Sequence, residues 1–374
     1  MSGSARRLKA LIIKESFQIV RDPSSILIAV ILPLILMFIY GYGVSLDIDH
    51  LNIGLVMEDT RTDAQSFAES LTNSPYFNVK IAHNRKELYT EMAKGHVRGI
   101  VIVPFYFSEF LHNNNRIAPI QILADGSEPN TASFVRNYVQ GAWNKWLEQR
   151  RINDGQRGIS LVQLQSRVWY NEEVRSRDFL LPGSLGIIMS LIGILLTALV
   201  VAREWERGTM EALMATPIRI IELVFGKLIP YFFLGMMSML LCAAITIFFY
   251  EVPFRGSFFA LLVVSSAFLF AALGMGLFIS TVSKNQFVAS QAAVTAAFLP
   301  GLMLSGFIFE ISSMPKIIQW ISSTLAARYF VSAMKTLFLV GDVWSILLYD
   351  IGCILIIAAF FYILTSFKTV KRLD

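Results

Sequence analysis

The sequence predicts a polytopic α-helical membrane protein with six transmembrane helices, an N-terminal amphipathic elbow helix and an α/β external domain between helices 1 and 2. Two observations lead to this fold class. Hydrophobic residues make up 55% of the chain and charged residues only 16%, whereas soluble domains carry about 25% charged residues. The hydrophobic residues are also grouped in runs of about 20, the length with which a helix crosses a bilayer.

Residues 1–25 predict a helix that lies on the cytoplasmic surface of the membrane. In this segment Leu11 and Ile12 share one helical face, and Arg7 and Lys14 lie on another. A basic amphipathic helix of this kind binds at the membrane interface. Pro23 is expected to end it.

The next residues, 26–46, contain no charged side chain and predict transmembrane helix 1. This hydrophobic run is too long for the core of a signal peptide, and no cleavage site of small residues follows it. We therefore expect a membrane anchor that is not removed.

Residues 47–178 change in character, because charges return and strand-like and helix-like patterns alternate. Strands are expected at 53–57, 79–81, 99–103, 120–123 and 162–170. Helices are expected at 62–71, 85–94 and 133–150. The alternation predicts an α/β domain of about 130 residues, which is large enough for a core of its own.

The C-terminal part, 179–374, predicts transmembrane helices 2 to 6. Their expected bounds are 180–202, 228–250, 258–282, 287–309 and 346–367. Residues 311–343 are less hydrophobic and contain Pro315, which favours short interfacial helices or a re-entrant segment. Asp350 lies near the end of helix 6, and we expect it at the membrane interface.

Basic residues next to the spans predict the orientation. The N-terminal segment, the 203–227 loop and the C-terminal tail carry most of the lysines and arginines near span ends. Short loops rich in these residues stay in the cytoplasm. Both termini are therefore expected in the cytoplasm of a bacterium, with the protein in its inner membrane and residues 47–178 in the periplasm.

Several other functions are not expected from this composition. The net charge is +5, but the basic residues flank hydrophobic runs, so we expect no nucleic-acid partner. Cys242 and Cys353 lie inside such runs, and the four histidines lack metal-ligand spacing. The polar segment 125–130 (DGSEPN) resembles a turn more than a catalytic site. We therefore expect no metal site and no catalytic residue.

The loop between helices 2 and 3 is the segment with the clearest functional pattern. It reads REWERGTMEALMATP at 203–217. Thr209 can cap a short helix that ends before Pro217, with Met210 and Met214 on one face. Such a charged helix with an apolar edge favours a docking element for a cytosolic partner. A charged loop that only sets the topology explains the pattern equally well.

This loop closely resembles the signature loop of ABC-2 type permeases, the membrane subunits of one class of ATP-binding-cassette exporters. Further similarities are KESFQIVRDPSS at 14–25, DGSEPN at 125–130 and LSGFIF at 304–309. The arrangement of spans is similar to the multidrug-exporter-like branch with a large external domain. The resemblance covers the whole chain.

The resemblance implies that the loop, within a cytoplasmic region at 203–227, holds a coupling helix that contacts an ATPase subunit. The residues expected at this contact are Arg203, Glu204, Glu206, Arg207, Gly208, Thr209, Met210, Glu211 and Leu213. No phosphate-binding G-x-x-x-x-G-K-[ST] motif occurs in the chain. We therefore expect no cofactor on this chain, and ATP with Mg on a separate ATPase.

The resemblance also implies partners and a transport path. The expected partners are two ATPase copies, a second permease that is identical or a sibling, and, as a further candidate, a periplasmic adaptor protein. Phe298, Leu299, Leu302 and Met303 are candidates for an apolar gate, although ordinary packed or lipid-facing residues would look the same. The predicted function is export of an amphiphilic or drug-like substrate. The alternative is a membrane scaffold or sensor whose external domain binds a ligand.

Overall fold

The computed structural model describes residues 3–43, 50–112, 120–127, 129–153, 169–171, 175–216 and 218–368. Contacts divide the chain into two compact units. A helical unit combines Met1–Leu46 with Arg167–Asp374, and an α/β unit comprises Asp47–Ser166.

The helical unit contains long hydrophobic helices and several short ones. The short helices are α1 (Gly3–Arg21), α8 (Thr209–Met214), α12 (Lys316–Ser322) and α13 (Ala326–Lys335). The long helices are α2 (Pro23–Gly43), α7 (Ser176–Glu206), α9 (Ile220–Ala244, continued as a π-helical segment to Phe249), α10 (Phe258–Ser283), α11 (Gln286–Leu304) and α14 (Trp344–Lys368).

The central element of this unit is α7. Almost all of its residues are buried, and it packs against α9, α10, α11 and α13. Because α7 is hydrophobic all round, it offers an apolar packing surface to neighbouring helices on every side. Movement of α7 therefore cannot occur without repacking its neighbours.

Small residues allow α7 and α10 to approach closely. A Cβ atom on Gly193 would lie 2.6 Å from the Cβ of Ala272, and one on Gly276 would overlap the Thr197 hydroxyl. The Thr197 Oγ1 also donates a hydrogen bond of 3.0 Å to the carbonyl oxygen of Leu273. Small side chains and interhelical hydrogen bonds of this kind stabilise helix pairs in membranes.

The α/β unit is built on a four-stranded sheet in the order β2-β1-β3-β4. Its elements are β1 (Leu51–Met57), α3 (Thr62–Thr72), β2 (Phe77–Ala82), α4 (Arg85–Ala93), β3 (Gly99–Val103), α5 (Phe107–His112), β4 (Gln121–Ala124) and α6 (Pro129–Asn153). β1 runs parallel to β2 and β3, and β4 runs antiparallel to β3. The parallel strands need helices on both faces of the sheet. Phe67 and Trp146 belong to the core on one face, and Leu88 to the core on the other.

Most of the predicted elements are confirmed. Six helices are long and apolar enough to cross a membrane, and four of the predicted strands and all three predicted helices of the α/β unit are present. The span predicted at 287–309 ends earlier, at Leu304, because the chain turns at Gly306 with φ +81°. The strand predicted at 162–170 lies almost entirely outside the described residues. The 311–343 segment forms short helices, which fit both predicted interpretations, interfacial helices and a re-entrant segment.

Asp350 is buried between helices. It is only 3% exposed and lies in a long helix that packs on α13. Among the described residues its Oδ2 atom has no hydrogen-bond partner, and Ser332 and Arg328 of α13 act on the carboxylate. Its position at the membrane interface stays a prediction, because hydropathy locates a residue along a span but does not identify the helix that covers it.

Candidate coupling site

The 203–217 loop forms a tight turn between two helices. α7 ends at Glu206, Gly208 adopts φ +68°, and α8 begins at Thr209. Glycine takes this left-handed conformation without the steric cost that a Cβ atom imposes. The Thr209 hydroxyl donates a 3.2 Å hydrogen bond to the Glu204 carbonyl oxygen, which ties the start of α8 to the end of α7.

The residues predicted at the ATPase contact divide into an exposed and a buried group. Glu206, Arg207, Gly208 and Thr209 are exposed. The side chain of Arg203 is only 12% exposed, and Glu204 and Met210 are each 4% exposed. The side chains of Glu211 and Leu213 lie outside the described residues. Glu204 and Met210 are therefore inside the chain rather than on the surface that an ATPase contact requires.

Glu204 is the centre of an ionic cluster that joins three helices and is buried except at Lys14, whose side chain is 45% exposed. It pairs with Lys14 of α1 at 2.7 Å and with Lys227 of α9. Glu15 of α1 completes the cluster, because it lies 3.4 Å from Lys227 and 2.9 Å from Lys14. Removing one member of a buried pair typically costs about 3–5 kcal/mol, since it leaves a charge without a partner.

Electrostatics within this cluster favour the charged state of Lys14. Burial alone would lower the pKa of Lys14, but its hydrogen bonds to Glu204 and Glu15 outweigh this and raise the pKa. Glu15 is fully buried, and its Oε2 atom has no hydrogen-bond partner in the part of the chain that the structure describes. The cluster is thus tightly paired except at this one oxygen.

A second ion pair joins α7 to the start of α2. Arg203 lies 2.9 Å from Asp22 and also donates a 2.9 Å hydrogen bond to the Ser24 hydroxyl. Burial acts to raise the pKa of Asp22, but hydrogen bonds from Ser25, Ser24 and Arg203 outweigh it and lower the pKa to about 2. Asp22 is therefore ionised at any physiological pH.

A third polar contact joins α1 to the start of α9. Arg7 donates hydrogen bonds of 3.0 and 2.9 Å to the two carboxylate oxygens of Glu222, and Ser4 donates one of 2.5 Å. Fork-shaped pairing of this kind fixes orientation as well as distance. The three contacts together hold α1, α2, α7 and α9 at the base of the loop.

The side chain of Met210 packs α8 against the helical bundle. It belongs to a small apolar cluster with Val201, Leu223 and Leu277, and Trp205 packs against this cluster. The loop is also tied to α11, because Glu206 accepts a 3.1 Å hydrogen bond from the backbone nitrogen of Gln286. The loop thus rests on α7, α9, α10 and α11 together.

The sequence did not reveal the partners of Glu204. Lys14 was assigned to the polar face of a surface helix, and Lys227 to the basic residues that set orientation. One feature of the sequence does indicate that Lys227 has a partner. It lies immediately before a hydrophobic run, where a lysine needs either water or a carboxylate.

The four gate candidates do not meet the loop. They lie on α11, where Phe298 and Leu302 pack against the core of the bundle. Leu299 and Met303 are 54% and 45% exposed. Phe298 and Leu302 therefore pack within this chain, whereas Leu299 and Met303 are exposed on its surface.

Comparison with known proteins gives one family and several relatives. Residues 24–367 match the family described as “ABC-2 family transporter protein”. “Probable multidrug ABC transporter permease YbhS” of Escherichia coli is 50% identical over 371 residues, which cover 99% of this chain and 98% of that protein. “Probable multidrug ABC transporter permease YbhR” of E. coli is 25% identical, over 89% of this chain and 90% of that protein. “ABC transporter G family member 20” of Dictyostelium discoideum is 22% identical, over 88% of this chain and 45% of that protein.

Proposed function

The chain belongs to the ABC-2 family of transporter proteins, and on this basis we propose that it is the membrane-spanning permease subunit of an ATP-driven exporter. The proposed cargo is an amphiphilic or drug-like molecule that leaves the cytoplasm or the inner leaflet. The names of the two E. coli relatives, which describe multidrug ABC transporter permeases, support this cargo class.

The observation that carries the proposal is the direct connection between an exposed turn and the most buried helix. Glu206, Arg207, Gly208 and Thr209 are exposed at the end of α7, and α7 is surrounded by other helices along its length. A partner that pushes on this turn displaces α7. Because packed interiors transmit strain rather than absorb it, the displacement reaches the rest of the bundle.

Within this mechanism the buried and exposed residues have different roles. The exposed turn makes the contact with the ATPase. Glu204 and Arg203 hold the end of α7 to α1, α2 and α9 through the ion pairs, and Met210 holds α8 on the bundle. Glu204 and Met210, which the sequence predicts at the ATPase contact, instead position the turn in this proposal.

The proposed assembly contains further chains. ATP and Mg bind to two copies of an ATPase, since this sequence has no phosphate-binding loop of the kind described above. A second permease, identical or a sibling, packs against this chain, and the exposed Leu299 and Met303 face the path between the two. The termini lie in the cytoplasm and the α/β unit lies in the periplasm, where it can meet an adaptor protein.

A charge reversal in the exposed turn tests the proposal. We expect Arg207→Glu to be inserted at normal abundance, to lose most ATPase co-purification and to abolish efflux, because like charges at an interface cost several kcal/mol. The matched control is Arg136→Glu, at an exposed position of α6 in the α/β unit. Abundance, co-purification and efflux are measured in the same cells. Full efflux and normal co-purification by Arg207→Glu would overturn the proposed role of the turn, whereas a wild-type chain that supports no efflux would favour a scaffold.

A further inference from the structure

A basic cleft lies beside the coupling turn, between α1 and the end of α7. Its volume is about 650 Å³. Lys14 and Arg21 line it from α1, and Arg203 and Arg207 line it from the other side. Two carboxylates, Asp22 and Glu204, also line it. The cleft therefore holds four cationic and two anionic side chains.

The two carboxylates are already paired. Asp22 accepts from Arg203, and Glu204 is held by Lys14 and by Lys227 behind the cleft. Arg21 and Arg207 pair with no carboxylate of the described residues. Both are exposed at the cleft. The cleft thus retains two guanidinium groups that lack an anion.

These donors fit a phosphate group. A guanidinium offers a rigid fork of N–H donors that matches two phosphate oxygens. The Thr209 hydroxyl lines the same cleft and provides a further donor. Basic pockets between helices near a membrane surface bind lipid headgroups for the same reason.

The surroundings of the cleft favour a phosphate that carries acyl chains. The cleft reaches Asp22, and the apolar helix α2 begins at the next residue. On the adjacent face of α1, Phe17 and Val20 are 62% and 72% exposed, so α1 presents apolar surface beside its basic surface. A soluble phosphate ester would use the guanidinium groups but gain nothing from these apolar side chains.

We propose that this cleft binds the phosphate of an anionic phospholipid, with Arg21 and Arg207 as its principal ligands and the acyl chains along α1. The bound headgroup joins α1 to the coupling turn from the membrane side. This inference concerns a lipid site on the permease itself. It does not rest on the proposed ATP-driven export, because the lipid binds the permease alone, and an ATPase that covers Arg207 and Thr209 would take the place of the headgroup.

The experiment uses the purified full chain without any partner. Native mass spectrometry follows the binding of added phosphatidylglycerol and, in parallel, phosphatidylcholine. We expect wild type to bind phosphatidylglycerol more tightly than phosphatidylcholine. Arg21→Glu should weaken phosphatidylglycerol binding about 30-fold. The substitution changes the charge by two units, and each unit near a membrane surface contributes about 1 kcal/mol. Lys9→Glu is the matched control, since Lys9 is exposed on the same helix but does not line the cleft.

Three results would overturn the proposal. The first is equal affinity of wild type for the two lipids. The second is equal loss of phosphatidylglycerol binding in Arg21→Glu and Lys9→Glu. The third is displacement of phosphatidylglycerol by an equal concentration of glycerol phosphate, which would identify a site for a soluble phosphate ester. Proper folding of Arg21→Glu is checked by its melting temperature in phosphatidylcholine.

Discussion

Lys227 and Lys335 both lie beside α7, near opposite ends of that helix, and they are held in different ways. Lys227 is 3% exposed and contacts two carboxylates, Glu204 and Glu15. Lys335 is half-buried, donates to the carbonyl oxygens of Gly306 and Phe307, and stands 3.6 Å from the centre of the Phe179 ring. Carboxylates therefore stabilise Lys227, whereas backbone carbonyl dipoles and an aromatic ring stabilise Lys335.

The difference indicates which end of α7 is fixed more firmly. A Cβ atom on Gly183 would contact Lys335, and the Gly183 and Glu204 positions are about 31 Å apart along a helix. The buried ion pairs at the Glu204 end cannot separate without exposing charges in a poorly hydrated interior. Hydrogen bonds to carbonyls can be exchanged at much smaller cost. We therefore expect the turn to move with α1 and α9 as one body, while the Lys335 end adjusts.

The largest expected effect comes from neutralising the centre of the ionic cluster. Glu204→Gln leaves Lys227 and Lys14 with Glu15 as the one carboxylate of the cluster for two cations, and we expect it to lower the free energy of unfolding by about 3–5 kcal/mol. Thermal unfolding of the purified protein in detergent measures this change.

Glu206 provides the matched control for this substitution. It lies two positions away on the same helix but is exposed, so Glu206→Gln should change the free energy of unfolding by less than about 1 kcal/mol. Equal effects of the two substitutions would show that the buried cluster does not fix this end of α7.

A smaller effect is expected from the ion pair at the start of α2. The pKa of Asp22 is lowered from 3.8 to about 2, so its contribution to stability is present above pH 3.8 and is lost as the pH falls toward 2. We expect Asp22→Asn to lower the free energy of unfolding by on the order of 2 kcal/mol at neutral pH. Unfolding of both proteins is compared at neutral pH and near pH 3, where the difference should shrink. A difference that stays constant would assign the effect to packing instead of charge.

The smallest effect is expected at Lys335. Burial lowers the pKa of this amine from 10.5 to about 8. Between pH 8 and pH 10.5 the amine is therefore mostly protonated in the unfolded chain and mostly neutral in the folded chain. Stability should therefore rise as the pH increases from 8 to 10.5. Lys335→Met should remove this rise and change stability by less than about 1 kcal/mol at neutral pH, since lost hydrogen bonds and relieved desolvation oppose each other. An unchanged pH profile in the variant would assign the rise to another group.

The sequence predicted the helices and strands well because hydrophobic period and length determine them locally. The run 180–202 predicted α7, and the short apolar runs at 53–57 and 99–103 predicted β1 and β3. The ends of helices were predicted less accurately where a single residue determines the turn that follows, as Gly306 does after α11.

The partners within the candidate site could not be predicted in the same way. Lys14 and Lys227 are more than half the chain apart, and a helical pattern shows which face is polar without identifying what meets it. The burial of Glu204, Met210 and Asp350 likewise depends on neighbouring helices. The sequence assigned Glu204 and Met210 to the surface of the 203–217 loop, whereas the structure buries both.

The central claim is that the exposed turn after α7 is covered by an ATPase. Thr209→Cys, in a chain with Cys242→Ser and Cys353→Ser, tests it directly through the rate of modification by a charged maleimide. The control is Thr62→Cys, at an exposed position of α3 in the α/β unit. We predict that bound ATPase slows the modification of Thr209→Cys at least about tenfold, as expected for a side chain in the water-excluding part of an interface, and leaves Thr62→Cys unchanged. Equal rates at Thr209→Cys with and without bound ATPase would contradict the account.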